Sequence, residues 1–511
     1  MKIRRSRIII TAIAILAVAL VTVGGKKRSH DRLSRKSISE NLTFPKTFLW
    51  GTATAAEQLE ATEHSDWAEF IRKNYAGEGK PVAGAGIKDL HLWRENIVRE
   101  KTQHLKRFKE DFQLMKDLGA NAYRFSIAWD RLFQRENATE ADKTAVTFYD
   151  DLFAELAKQG LEPSVTLFHF SSPAWFFGEK DGKRGWERAD AVAHFSRFVE
   201  FVVNRWGKNV NVWCTLNEPM VYIYSGYMQG IFPPLEKRPD EKSVAPVMEA
   251  LLKAHAAAYA IIKKNNPKAL VGVTQHTREF APYRNYAVLD RIIAGKVEQA
   301  FIWDFTDAIR SGVLKVTNTD IEKPIPGLGG TQDFIGINYY GRFYIKSNIF
   351  APTKFEIKNH DEKNPNEIKN ELGWADFPLG MKNILLTAKS RYNLPLYILE
   401  SGTAEKAEDD KLRQQLLITH LAETAAAQKA VCDYGIHLGA SPQNIETAAD
   451  LASRSSGLKM YLDATYGPLH LTDLHIIREH FGRWPHQRPI LCHAEDRTLA
   501  AILMVAYLEK R

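Results

Sequence analysis

Two glutamates stand apart in this 511-residue chain, because Glu218 and Glu400 alone follow directly on long apolar, strand-like runs. The first ends Val212-Trp-Cys-Thr-Leu-Asn and the second Leu396-Tyr-Ile-Leu. A carboxylate at a strand tip is costly unless it has partners, so a solvated surface role suits these two poorly. One protonated and one ionised carboxyl group facing each other across a sugar can cleave a glycosidic bond. The first donates to the leaving oxygen and the second meets the oxocarbenium-like carbon. At a carboxyl separation of about 5–5.5 Å the second bonds covalently to the sugar and the anomeric configuration is retained.

Other apolar runs carry polar residues within them or at their ends: Arg124 in Tyr-Arg-Phe-Ser-Ile, His169 after Thr-Leu-Phe, Asn217 beside Glu218, and Asn338 after Phe-Ile-Gly-Ile. One such tip means little, but with Glu400 there are five, and five can form a site if the strands converge. Short β-branched runs are expected as strands at Phe48–Thr54, Ala122–Ile127, Pro163–Phe168, Val212–Leu216, Ala269–Thr274, Phe334–Asn338 and Leu396–Leu399. Amphipathic helical stretches such as Phe108–Leu118 and Ala191–Trp206 lie between them. Strand alternating with helix predicts a parallel sheet. Seven such strands over some 350 residues suit a (β/α)₈ barrel, an α/β fold in which strand C-termini meet on one face. No glycine-rich phosphate loop follows any strand, which argues against a nucleotide fold.

Five motifs in order carry a resemblance. Phe44-Pro-Lys-Thr-Phe-Leu-Trp-Gly, Tyr123-Arg-Phe-Ser-Ile-Ala-Trp with the preceding Leu114-Met-Lys-Asp-Leu-Gly, Thr215-Leu-Asn-Glu-Pro, Asp333-Phe-Ile-Gly-Ile-Asn-Tyr-Tyr and Ile398-Leu-Glu-Ser-Gly resemble glycoside hydrolase family 1, the β-glucosidases and their relatives. The likeness spans about residues 44–425. It implies a retaining β-glycosidase with Glu218 as acid/base and Glu400 as nucleophile. Arg124 and Tyr340 would hydrogen-bond the nucleophile, Asn217 the sugar 2-hydroxyl, and Gln58 and His169 other ring hydroxyls. Asn338 joins them as a substrate-binding candidate. The chemistry needs no cofactor and no metal. Trp129, Trp175 and Trp303 are candidate sugar platforms, with the barrel core the commoner place for such residues. Three departures bear on sugar preference: Glu57 stands where the family has Tyr, Ser171 where it has Asp, and Ser401 where it has Asn.

Composition and charge set the surroundings. Apolar content of 45% and charged content of 25% describe a globular chain with a sizeable core. The net charge of +8 is misleading, because residues 1–36 hold ten basic side chains and a single acid, Asp31. The remainder is close to neutral, so nucleic acid is not an expected partner. Within the basic segment the apolar run Ile8–Val23 is near the minimum length for crossing a bilayer. It lacks a small-residue cleavage site and is followed by a second basic cluster. A signal anchor over 1–25 and a basic stalk over 26–43 are therefore expected, with a membrane-anchored or secretory-pathway location. An anchor with these departures is similar to membrane-bound family members that move galactosyl groups between lipids. Sequons at Asn41 and Asn137 would suit a lumenal or extracellular body. Cys214, Cys432 and Cys492 show no metal-like spacing and read as small core residues in buried strands.

The barrel reading ends near residue 428. A helix from Lys411 through His420 to about Ala427 precedes a change in character, and neither the usual eighth-strand turn nor the Glu-Trp pair of the family follows. Instead Cys432-Asp-Tyr-Gly-Ile-His-Leu-Gly, Gly457-Leu-Lys-Met-Tyr-Leu, His480-Phe-Gly-Arg-Trp-Pro and Pro489-Ile-Leu-Cys-His-Ala-Glu resemble the dihydroorotase domain of the animal multifunctional pyrimidine-synthesis protein. That likeness implies that Lys459 and His493 descend from zinc ligands. Two ligands cannot hold a zinc pair, and the family's early His-x-His strand is absent, so no metal is expected. The organisation expected is a barrel over 44–428 with an atypical or incomplete eighth strand, then a βα appendage over 429–511. Tyr434–Leu438 falls where strand eight is due. The alternatives to a β-glycosidase are a membrane-tethered sugar-binding protein without activity, or a transglycosidase acting on lipid-linked sugars.

Overall fold

A computed structural model describes residues 44–60, 63–75, 101–348, 350, 354–406, 410–432, 437–439, 457–461, 474–483 and 490–493. The chain divides into two compact units, Met1–Ala427 and Gln428–Arg511. The N-terminal run Ile8–Val23, the basic stalk and Asn41 lie outside the described residues.

The first unit is built on seven parallel strands: β1 (Gly51–Ala53), β2 (Ala122–Ser126), β3 (Glu162–Phe168), β4 (Val212–Asn217), β5 (Leu270–Pro282), β6 (Phe334–Ser347) and β7 (Leu396–Ser401). Each pairs with the next in chain order. The helices that make those crossovers include α1 (His104–Asp117), α2 (Lys143–Gln159), α3 (Ala191–Trp206), α4 (Glu241–Asn265), α5 (Val288–Glu298) and α6 (Pro378–Tyr392), with α7 (Lys411–Cys432) after β7. This is a mostly parallel, nearly closed (β/α) barrel.

Sequence explains the local choices. In α2, Asp142 caps the first turn by accepting from the Ala145 amide at 2.9 Å, and Gly160 ends the helix in the left-handed conformation. Phe148, Tyr149, Leu152, Phe153 and Leu156 recur at helical spacing and are buried against the barrel. Each such side chain removed from water stabilises the fold by about 1.5–3 kcal/mol before entropy is counted. Strands β2 and β4 are buried at every position, as strands covered on both faces must be.

The closure is where expectation and structure part. Among the described residues β1 and β7 each have one strand neighbour, so the sheet is open between them. Their side chains are correspondingly wetter: every residue of β7 is half-buried, and two of the three in β1 are exposed. Tyr434–Leu438 does not supply the missing strand. Its described part falls in His437–Gly439, which pairs in parallel with Gly457–Tyr461, and that strand pairs with Ile490–His493. A short apolar run needs backbone partners, and these are found within the second unit's own three-stranded sheet. Lys459 and His493 lie in two of its strands, and the helix Leu474–Arg483 falls between them in sequence. Cys432 also departs from expectation: it ends α7 rather than sitting in a strand, whereas Cys214 is buried in β4 and Cys492 lies in Ile490–His493.

Candidate active site

Strand register brings the chemistry to one level of the barrel. His276 of β5 is paired with Asn338 of β6, and Asn338 with Glu400 of β7. Residues aligned across parallel strands point to the same face, so these three form a row along the barrel wall. A register shift between Ile398 and Glu400 re-aims the last of them. Glu218 arrives differently. Strand β4 ends at Asn217, and Glu218 adopts a left-handed conformation (φ 43°) before Pro219 opens a short helix. A non-glycine residue held there costs on the order of 1–3 kcal/mol. The Glu218 amide donates to the Thr274 carbonyl at 2.8 Å, which fixes the turn to β5.

Hydrogen bonds then tie the row together. Arg124 of β2 is the hub: Nη1 donates to Glu400 Oε1 at 2.5 Å, Nη2 to Asn217 Oδ1 at 2.6 Å, and Nε to Thr166 Oγ1 at 3.1 Å. The Tyr340 hydroxyl donates to the other Glu400 oxygen, Oε2, at 2.6 Å. Asn338 Nδ2 donates to Glu218 Oε1 at 2.8 Å and to Asn217 Oδ1 at 3.2 Å. His276 Nδ1 lies 3.0 Å from the same Glu218 oxygen. One polar network therefore spans both carboxylates, from Glu400 through Arg124, Asn217 and Asn338 to Glu218.

The two carboxylates live in different electrostatic settings. Glu400 has a guanidinium and a phenol on its two oxygens. Burial lowers the Arg124 guanidinium, but the neighbouring acidic groups together, Glu400 foremost, outweigh it and Arg124 stays a cation. Burial and the Glu400 charge push the Tyr340 phenol up, so it remains a donor. Burial pushes the Glu218 carboxyl up, while His276 and Asn338 pull it down and leave it below its ordinary value. Burial, together with the Arg124 charge, pushes the His169 imidazole down to about 3, so it is neutral. Its Nδ1 is buried without a hydrogen-bond partner. A neutral imidazole with a free nitrogen at a strand tip can receive a ligand hydroxyl.

Most of the expected residues meet here. Arg124, Asn217, Glu218, Asn338, Tyr340 and Glu400 are joined by direct hydrogen bonds, and His169 is close enough to feel both Arg124 and Glu218. Gln58 is not joined to them: it sits on the one-turn helix after β1, exposed and without a side-chain bond to any described residue. Its neighbour Glu57 is paired with Lys101 at 2.8 Å, which accounts for an acid at that position. Ser401 is bonded to His420 Nδ1 at 3.0 Å, whose Nε2 lies 3.0 Å from Asp376. Trp129 and Trp303 are buried core. The Trp175 indole donates to the Phe133 carbonyl at 2.8 Å and packs edge-on against Trp129 and His194, a scaffold role rather than a sugar platform.

Two residues were missed. His276 and Arg278 lie beyond Thr274, where strand β5 was expected to stop, yet it runs on to Pro282. No periodic signal marks them, because Gln275-His-Thr-Arg-Glu is polar throughout. Among the described residues one trio has metal-like spacing, Glu136, Asp190 and His194. Arg188 pairs with Glu136 and Asp190, and Lys180 reaches Asp190 at 2.5 Å, so cationic side chains already neutralise it.

The sequence model of glycosyl hydrolase family 1 matches residues 40–441. β-Glucosidase A of Thermotoga maritima is 28% identical over 419 residues, covering 76% of this chain and 85% of that protein. β-Glucosidase 12 of Arabidopsis thaliana is 29% identical over 432 residues, covering 76% and 80%. Among solved structures, the β-glycosidase from Pyrococcus horikoshii is similar with a TM-score of 0.64 and 33% identity over 76% of this chain and 82% of that one. A rice β-glucosidase gives a TM-score of 0.64 at 26% identity over 76% and 87%.

Proposed function

Since the chain belongs to glycosyl hydrolase family 1, we propose that it is a retaining β-glycosidase in which Glu400 is the nucleophile and Glu218 the acid/base. The observation that carries this is the unequal partnering of the two carboxylates within one network: Arg124 and Tyr340 on Glu400, amide and imidazole on Glu218. Glu400 attacks the anomeric carbon while the glycosidic C–O bond breaks and the leaving oxygen takes the Glu218 proton. A water then gives its proton to Glu218, bonds to the anomeric carbon and displaces Glu400. Arg124 and Tyr340 hold Glu400 in line for both steps, and Asn217, Asn338 and His169 offer polar groups to the sugar hydroxyls. The substrate class is β-glycosides, by likeness to relatives that are β-glucosidases.

We also infer that turnover is below that of relatives with a complete barrel, because β1 and β7 flank the site and lack a described partner on their open sides. Rate acceleration draws on binding energy from the whole sugar, and a wall left open supplies less of it. The N-terminal apolar run is proposed as a membrane anchor. The reaction is tested by following the first-formed sugar by NMR during cleavage of a β-glucoside. The β-anomer appearing first supports retention; the α-anomer first excludes it.

A further inference from the structure

Glu218 Oε1 is crowded: it accepts from Asn338 Nδ2 and lies 3.0 Å from His276 Nδ1. What His276 presents there is decided by Arg278. Arg278 Nε donates to His276 Nε2 at 2.8 Å. A guanidinium only donates, so Nε2 must be the acceptor, and the imidazole proton sits on Nδ1. That proton is aimed at Glu218. The ring cannot easily turn, because it stacks on Tyr340 at 5.4 Å with 17° between planes and meets Phe301 edge-on at 5.8 Å. Arg278 is equally fixed. Its Nη1 donates to the Tyr340 carbonyl at 2.6 Å, and its guanidinium carbon lies 4.0 Å from the ring centroids of both Phe343 and Trp374. It is 1% exposed and has no carboxylate bonded to it among the described residues. A buried cation without a salt bridge is an expensive arrangement, and here its one polar side-chain contact is a histidine nitrogen.

We propose that His276 is a positioning residue for Glu218, locked by Arg278 into the tautomer that donates through Nδ1, and that this pair confines the acidic proton of Glu218 to Oε2. The inference rests on Glu218 being the acid/base. With two fixed donors on Oε1, a proton there would face other protons. Oε2 has no hydrogen bond to any described residue and is the oxygen left to meet a leaving group. The same donor favours the charged carboxylate, so it helps set the pH above which Glu218 loses its proton. The other groups around this contact are Tyr340 and Glu400 from β6 and β7, Arg124 from β2 and His169 after β3; none of them bonds to His276.

The test uses the full chain and two leaving groups. His276→Phe keeps a ring on Tyr340 and removes the donor, whereas His276→Asn keeps an N–H near the position of Nδ1. An alkyl glucoside needs acid assistance and a dinitrophenyl glucoside does not. The Phe variant is expected to lose ~10²-fold in kcat/KM on the alkyl glucoside and only a few-fold on the dinitrophenyl glucoside. Its alkaline limb on the alkyl substrate should move up by about one pH unit. His276→Asn should recover most of both, and Arg278→Met should reproduce the Phe pattern in weaker form. Equal losses on both substrates with an unmoved limb overturn the proposal. Glu218→Gln, measured alongside, separates the two levels. If it too shows no dependence on leaving group, the acid/base assignment itself falls. If it shows the dependence and His276→Phe does not, only the role of His276 falls.

Discussion

At the scale of single residues, the site is a problem in giving two identical side chains opposite jobs. Glu400 takes a guanidinium and a phenol, one on each oxygen, and Glu218 has an amide and an imidazole on one. A hydrogen bond to a charged group contributes about 1.5–3 kcal/mol. Tyr340→Phe should therefore reduce kcat/KM by about 10- to 100-fold while the protein stays folded. Tyr340 is not a core donor to anything else, since its hydroxyl bonds only Glu400 among the described residues. Wild-type kinetics in that variant would mean that the phenol does not serve the nucleophile. The glutamates, Arg124 and the asparagines were legible in sequence because each interrupts or ends an apolar run. His276 and Arg278 were not, because they lie in a run of consecutive polar residues, Gln275 to Glu279, that carries no apolar strand pattern although the strand continues through it.

At the scale of elements, the seven parallel strands fall where apolar β-branched runs predicted, and the errors are at their ends. β5 and β6 extend well past the expected Thr274 and Asn338, because backbone pairing continues between them to Pro282 and Ile345 through residues that are largely polar in β5 yet mostly buried. Hydrogen bonding, not hydrophobicity, sets those ends, and single-sequence patterns report only the latter. Helix α4 is locked to the barrel by a buried histidine. His255 is 0% exposed, lies 2.7 Å from Thr215 Oγ1 on β4, and lies 2.8 Å from the Thr331 carbonyl. Burial pushes its imidazole from an ordinary 6.5 down to about 4. The unfolded chain thus binds this proton first as pH falls, and the histidine's contribution to stability, full above about 6.5, is lost progressively toward about 4. Unfolding midpoints should fall between pH 7 and pH 4.5, less steeply in His255→Gln. The same slope in both proteins would show that other groups govern acid stability.

At the scale of the molecule, a barrel whose sheet is open between β1 and β7 among the described residues is followed in the chain by a second unit with its own parallel sheet. The chain divides into two compact units between Ala427 and Gln428. What sequence could not decide was pairing: Leu438 is as apolar as any barrel strand residue, and only the register assigns its segment to Gly457–Tyr461. Among the described residues β1 and β7 have no strand partner on their facing edges, and the impairment inferred above rests on that opening. Turnover of nitrophenyl β-glucoside should accordingly be well below that of the Thermotoga maritima β-glucosidase A measured side by side. Parity between the two would contradict the inferred impairment.

The central claim is that Glu400 bonds covalently to the sugar. Incubation with a 2-deoxy-2-fluoro-β-glucoside bearing a dinitrophenyl leaving group tests it most directly, read by mass spectrometry of the intact protein and then of its peptides. The expected result is a single fluoroglucosyl mass added to the peptide that contains Glu400, and no addition in Glu400→Gln. Labelling on another residue, or none after prolonged exposure, would contradict it.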